Sequence, residues 1–121
     1  MYDLRPEVIE SWYYAYRATG DAIYQQWAWE AFLHINETCA TGVGFSAITD
    51  VNAPGGGTFL NSQESFWFAE VLKYSYLIHA AESDFQVKTA GNRFVFNTEA
   101  HPMAIAGSES SRQHGTGRRR R

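Results

Sequence analysis

Ser62-Gln63-Glu64-Ser65-Phe66-Trp67-Phe68-Ala69-Glu70-Val71-Leu72-Lys73-Tyr74-Ser75-Tyr76-Leu77-Ile78-His79-Ala80-Ala81 is the stretch that decides the fold. Its spacing predicts a helix over 62–81. Phe66, Trp67, Phe68, Val71, Leu72, Tyr74, Tyr76, Leu77 and Ile78 then cover nearly every direction around the axis. A helix that is apolar all round is buried on all sides. Two neighbouring helices cannot bury it that way. The expectation is therefore an all-α fold in which this chain is part of a larger helical domain, or one that oligomerises heavily. Glu70 stands in the middle of this helix, one turn after Phe66. A buried carboxylate is costly unless it is paired, hydrogen-bonded or near a metal, so Glu70 needs a reason.

Upstream, Arg5-Pro6-Glu7 opens a first helix. Proline suits the first turn, where its missing N–H is not needed, and Glu7 and Glu10 favour the positive end of the dipole. Val8, Ile9, Trp12, Tyr13 and Tyr16 fall on one arc, with Glu7 and Glu10 three residues apart on another face. Gly20 ends this helix and Asp21 caps the next, which runs to about His34. Ile23, Trp27, Ala31, Leu33 and Ile35 give the second helix its apolar side. The two form an antiparallel pair. Residues 40–62 read as a loop punctuated by Gly42, Gly44 and Pro54-Gly55-Gly56-Gly57, with a possible short strand at Phe45–Thr49.

Downstream, Phe94-Val95-Phe96 reads as a short strand that leads into Asn97-Thr98-Glu99-Ala100-His101, and Pro102 stops it. A hydroxyl beside a carboxylate at a strand end can bind a hard cation or a sugar. It can equally be a capped turn, and His101 reads as a structural hydrogen-bonding residue. The Ser, Gly and Arg of residues 107–121 show no apolar period and read as a disordered tail.

Aromatic content is high at 16%, with four Trp and seven Tyr. Trp12, Tyr13, Trp27 and Trp67 read as core. The formal charge is -3, and four of the ten Lys and Arg residues lie in Arg118–Arg121, so the body of the chain is acidic. That argues against nucleic acid as a partner, since phosphate recognition needs basic surface. Cys39 is the only cysteine, so no disulfide forms within the chain. No apolar run reaches the ~18 residues of a membrane span, and no signal-peptide pattern follows Met1. Asn36-Glu37-Thr38 is either an N-glycosylation sequon or a chance match.

Four motifs recur in order and register. They are Tyr2-Asp3-Leu4-Arg5-Pro6-Glu7-Val8-Ile9-Glu10-Ser11, Tyr16-Arg17-Ala18-Thr19-Gly20-Asp21, Gln63-Glu64-Ser65-Phe66 with Glu70-Val71-Leu72-Lys73-Tyr74, and Phe96-Asn97-Thr98-Glu99-Ala100-His101-Pro102. Together they resemble the C-terminal part of glycoside hydrolase family 47, the class I α-1,2-mannosidases, and most of all the fungal secreted members. The resemblance runs from residue 2 to about 104. It implies the C-terminal portion of an (α/α)7 barrel over residues 1–106, with a short β-hairpin near the C-terminus. It implies calcium-dependent, inverting removal of α-1,2-linked mannose from high-mannose N-glycans, in the secretory pathway (ER or Golgi) or outside the cell.

By the same resemblance Thr98 matches the threonine that gives Ca2+ its hydroxyl and carbonyl oxygens. Glu7 matches the general base that activates water, and Arg5 a substrate-binding arginine. Glu10, Glu70 and Glu99 match acids that hold the calcium waters or the sugar. Phe66 matches an aromatic that packs on the terminal mannose. Asn61 stands where the family usually has Asp. The family's general acid and the N-terminal part of the barrel have no match in this chain, which implies a fragment inactive alone. Two other readings stay open: a mannosidase-like protein of glycoprotein quality control that binds glycans without cleaving them, and a truncated gene product.

Overall fold

A computed structural model describes residues 1–108. The tail assigned to 107–121 therefore lies outside the described residues, apart from Gly107 and Ser108. Helix α1 spans Glu7–Thr19. Pro6 precedes it and its carbonyl accepts the Glu10 N–H at 2.8 Å. Gly20 closes it with φ 74°, its N–H donating to the Tyr16 carbonyl, a backbone state that glycine adopts without strain.

Helix α2 spans Ile23–Cys39. The Asp21 carboxylate accepts the Ile23 N–H at 3.0 Å, which is the expected capping role. The helix continues past His34, where the sequence reading ended it. Asn36-Glu37-Thr38 is helical, and the Thr38 hydroxyl donates back to the His34 carbonyl. The Thr38 hydroxyl is thus satisfied within the helix.

Residues 40–62 carry isolated bridges rather than a continuous strand. Ile48 pairs with both Tyr2 and Phe59 and so anchors the N-terminal segment. Gly56 has φ 81°, and a Cβ there would stand 2.8 Å from Ile48 Cδ1, so the loop can close on Ile48 only over a glycine.

The central helix is shorter and less regular than expected. Its helical body is a π-helical turn, Trp67–Leu72, followed by α3, Lys73–Leu77. Residues upstream of it are held by other partners. The Ser62 carbonyl accepts the Ala47 N–H at 2.8 Å, and Gln63 Oε1 accepts the Phe45 N–H at 2.6 Å. At the far end, Gln86 Nε2 donates to the Leu77 carbonyl and Gln25 Nε2 to the Ile78 carbonyl. These side chains take up the orphan carbonyls of the last turn.

The core lies where α1, α2 and this central segment meet. Leu4, Ile9, Tyr13, Ala28, Trp67, Val71, Tyr74 and Ile78 are buried in it. Burial on all sides is not what the described residues show. Phe68 is 60% exposed and Tyr76 71%, because α1 and α2 cover one side of the helix only. Trp27, expected in the core, is 41% exposed and tilts against the half-buried Trp12 at 5.9 Å. Val8 and Leu33, assigned to the apolar arcs of α1 and α2, are likewise exposed.

Strands β1, Phe94–Phe96, and β2, Pro102–Ala104, form an antiparallel hairpin that pairs Phe96 with Pro102. Pro102 begins a strand rather than ending one, a position where its missing N–H is tolerated. Asn97 builds the turn between them. Its Oδ1 accepts the N–H groups of Glu99 and His101, and its own N–H donates to the His101 carbonyl.

Candidate functional site

Arg5 and Glu7 sit at the start of α1, held there by the Arg5-Pro6 step. The residue before proline is pushed into an extended conformation. Arg5 pairs with Asp3 at 3.2 Å and Glu7 at 3.6 Å, and its guanidinium stands 5.1 Å from the centre of the half-buried Phe66 ring. The structure thus joins two residues sixty-one positions apart that the resemblance assigns to substrate binding. Glu10 lies one turn on and is half-buried. Its Oε1 accepts a hydrogen bond from the Tyr74 hydroxyl at 3.3 Å. Burial, the hydrogen bond with Tyr14 and the charge of Glu10 push the Tyr74 phenol upward, so it remains a donor.

Glu70 is 6% exposed, in the middle of the π-helical turn. Burial raises its pKa above the ordinary carboxyl value, and Glu10, Glu7 and Glu99 raise it further, in that order, while Lys73 opposes them. Three chain segments therefore bring Glu10, Glu7 and Glu99 within electrostatic reach of Glu70. Glu99 and Thr98 are exposed on the hairpin turn. His101 contributes its backbone to that turn, as expected of a structural residue.

Two strained backbones flank these residues. Leu4, fully buried, has φ 63° immediately before Arg5, and Ala100, also fully buried, has φ 56° immediately after Glu99. A left-handed backbone at a residue with a Cβ costs on the order of 1–3 kcal/mol and concentrates at functional sites. Asn61, at the position where the resemblance expects Asp, also has positive φ, at 53°, which asparagine tolerates well.

Sequence reasoning missed Tyr74, Lys73 and Asn97. Their signals were present in the spacing, since Lys73 and Tyr74 follow Glu70 by three and four residues on one helix face. It also missed Gln86, 1% exposed, which no periodicity announces. Among the described residues no group of three or more His, Cys, Asp or Glu side chains is arranged to hold a metal directly. An apolar groove of about 620 Å³ between α2 and α3, lined by Trp29, Phe32, Tyr76 and His79 among others, carries no carboxylate. The carboxylate cluster is the chemically differentiated site.

The raised pKa of Glu70 has a stability consequence. A carboxyl whose folded pKa lies above its unfolded value contributes stability below the unfolded pKa and loses it as pH rises through the folded one. Glu70→Gln is expected to flatten the decline in stability from about pH 4 upward, starting near the ordinary Glu value of ~4.3. Denaturant melts across that range, without added divalent cation, check this. An unchanged slope would show that the Glu70 carboxyl is not raised by its burial and its acidic neighbours.

The family model of glycosyl hydrolase family 47 matches residues 1–105. The chain belongs to glycosyl hydrolase family 47. Within this family 47 chain, similarity extends across nearly every described residue. It is 62% identical over 106 residues to a mannosyl-oligosaccharide alpha-1,2-mannosidase of Coccidioides posadasii, covering 86% of this chain and 20% of that protein. It is 58% identical to the mannosyl-oligosaccharide alpha-1,2-mannosidase of Penicillium citrinum, covering 87% of this chain and 21% of that one. The solved alpha-1,2-mannosidase from Trichoderma reesei superposes with a TM-score of 0.84 at 58% identity, over 86% of this chain and 22% of that one. The family 47 chain thus spans about a fifth of the length of the curated relatives it matches. It is helix-rich with one small two-stranded sheet, and over this portion it shares the fold of that enzyme.

Proposed function

We propose that this chain is the C-terminal portion of an (α/α)7 barrel whose whole protein is an inverting, calcium-dependent α-1,2-mannosidase acting on high-mannose N-glycans in the secretory pathway or outside the cell. The observation that carries this reading is the family match over residues 1–105, together with a buried Glu70 whose pKa burial and the charges of Glu10, Glu7 and Glu99 raise. A buried carboxyl with other acids nearby is kept only where something positive or hydroxyl-rich compensates it.

The donor chemistry fits a hard cation, which takes six to eight oxygens, many of them from water. Thr98 would hold Ca2+ through its hydroxyl and carbonyl, with Glu10, Glu70 and Glu99 orienting waters and sugar hydroxyls around it. When bound, the ion supplies positive charge that polarises a water and fixes the hydroxyls of the terminal mannose. Phe66 packs on the apolar face of that sugar, and Arg5, held over Phe66 and beside Glu7, fixes its orientation. Glu7 accepts the proton of the attacking water. Inversion needs a general acid on the opposite side of the bond, roughly 6.5–9.5 Å away, to leave room for that water. No residue of this chain is assigned that role, so the acid belongs to the length of the relatives that the chain does not span.

The decisive experiment measures mannose release from an α-1,2-linked mannose disaccharide by the full-length protein, with calcium and after chelation, beside the 121-residue chain alone. Release by the full-length protein that chelation abolishes is the expected result, with none from the short chain. Robust release by the short chain would overturn the division of the acid and base. Thr98→Val in the full-length protein is expected to weaken calcium binding at least ~10-fold, the scale on which even outer partners of a metal site act. Unchanged affinity in a titration would remove Thr98 from the site.

A further inference from the structure

We propose that Lys73 is a positioning residue that fixes the Thr98–Glu99 turn tip relative to the Glu70 and Glu10 carboxylates by holding the carbonyl of Ala100. Its ammonium donates to that carbonyl at 2.8 Å, in a partly buried contact between residues twenty-seven positions apart. This role rests on the reading that the turn tip belongs to the cation and sugar site.

The hairpin needs an outside tie. Its strands are three residues each, and every residue of β2 is exposed, so its own packing holds the turn weakly. Within the turn, Asn97 supplies all the internal hydrogen bonds, and these set its shape but not its place in the molecule. At its base the hairpin is tied by Phe85 stacked on Phe94 and by Asp84 paired with Arg93, and further contacts place the turn itself. Phe96 leans on Tyr13 and Tyr74 at the start of the turn, and Lys73 grips its far side at Ala100. Ala100 is fully buried with left-handed φ, a state that persists only where its surroundings over-determine it. The Lys73 bond is one such determinant.

The donor's location links the turn to the chemistry. Lys73 follows Glu70 by three residues, at the point where the π-helical turn gives way to α3. One helix face therefore carries both the buried carboxylate and the clamp on the turn that bears Glu99. A change in helical register of one residue would swing Lys73 about 100° away from Ala100. The π-helical turn, a feature that recurs at functional sites, sets this register. Lys73 also stands close enough to Glu70 for its charge to favour the ionised carboxyl, yet its ammonium goes to the backbone carbonyl.

The test compares Lys73→Met, which keeps the apolar stem and drops the donor, with Lys73→Arg, which keeps a donor, in the full-length protein. Amide hydrogen exchange is followed at Glu99, Ala100 and His101, with α1 as the internal reference. Lys73→Met is expected to speed exchange in the turn about 10-fold while α1 is unchanged, the pattern of a local opening. Lys73→Arg restores most of the protection. Calcium affinity measured by titration should fall about 10- to 100-fold in Lys73→Met and recover in Lys73→Arg. Unchanged exchange in the turn, or equal acceleration in the turn and α1, overturns the proposal. If no variant binds calcium while Lys73→Met still loosens the turn, the calcium reading falls and the clamp stands. If Lys73→Met does not fold, the ammonium nitrogen resonance of Lys73 in the unmodified protein decides. A slowly exchanging ammonium coupled to the Ala100 carbonyl supports the bond, and a freely exchanging one overturns it.

Discussion

Glu7→Gln is expected to lower kcat of the full-length enzyme by about 100- to 10,000-fold, the range over which a positioned general base acts. KM should change little, because the amide keeps the size and hydrogen-bonding reach of the acid but cannot take a proton from water. The structural role of Glu7 is too small to imitate this. Its side chain is 63% exposed, and it lies in the first turn of α1, paired loosely with Arg5 at 3.6 Å. An acid at that position is worth about 0.3–1 kcal/mol through the helix dipole, so the melting temperature should barely move. Activity lost at constant stability separates catalysis from packing. A kcat within a few-fold of the parent would move the base elsewhere, with Glu99 the next residue to test.

The difference between Glu7 and Glu70 shows which parts of this site were legible in the sequence. Glu7 and Glu10 were readable as first-turn acids of a helix, and Glu70 as an acid out of place in an apolar run, because local periodicity exposes such conflicts. The strand–turn–strand at Phe94–Ala104 was half legible: β1 was clear, but Pro102 read as a stop because its pairing partner Phe96 lies across the turn. The convergence of Arg5 with Phe66, or of Glu10 with Tyr74, is a tertiary fact that no local pattern encodes.

The errors have physical causes too. The central helix was read as twenty residues long since Ser62–Ser65 are compatible with helix, yet the hydrogen bonds of Ser62 and Gln63 go to the 45–47 loop instead. Its outer face was read as needing more cover than two helices give, because apolar periodicity reports a preference for burial and not the presence of a neighbour. Phe68 and Tyr76 are exposed among the described residues of a chain about a fifth as long as its curated relatives. Left-handed backbone at Leu4 and Ala100 was invisible, since neither residue type favours it.

Tyr13→Ala is expected to abolish cooperative folding of this portion, and the reason lies in how many elements one side chain joins. The ring is fully buried and contacts Tyr14, Tyr74 and Phe96, with centroids between 5.2 and 6.4 Å. Removing a buried aromatic ring to Ala costs roughly 3–5 kcal/mol. The hydroxyl adds to this, because it donates to Gln86 Oε1 at 2.9 Å and accepts the Val87 N–H at 3.1 Å. Each buried group left without a partner costs about 1–3 kcal/mol. The same Gln86 caps the Leu77 carbonyl at the end of α3, so its loss of position loosens the helix that carries Glu70 and Lys73. Set against a typical domain stability of about 5–15 kcal/mol, the sum removes most or all of it. Tyr13→Phe keeps the ring and should cost only the hydroxyl's share, about 1–3 kcal/mol for each of the two partners it leaves, with folding retained. Trp27→Ala removes a larger ring that is 41% exposed and should cost clearly less than Tyr13→Ala. Thermal and denaturant melts of the three variants followed by near-ultraviolet circular dichroism give the order directly. If Tyr13→Ala melts beside Trp27→Ala, the centre of the core is not where α1, the central helix and the hairpin meet, and the site would need another foundation.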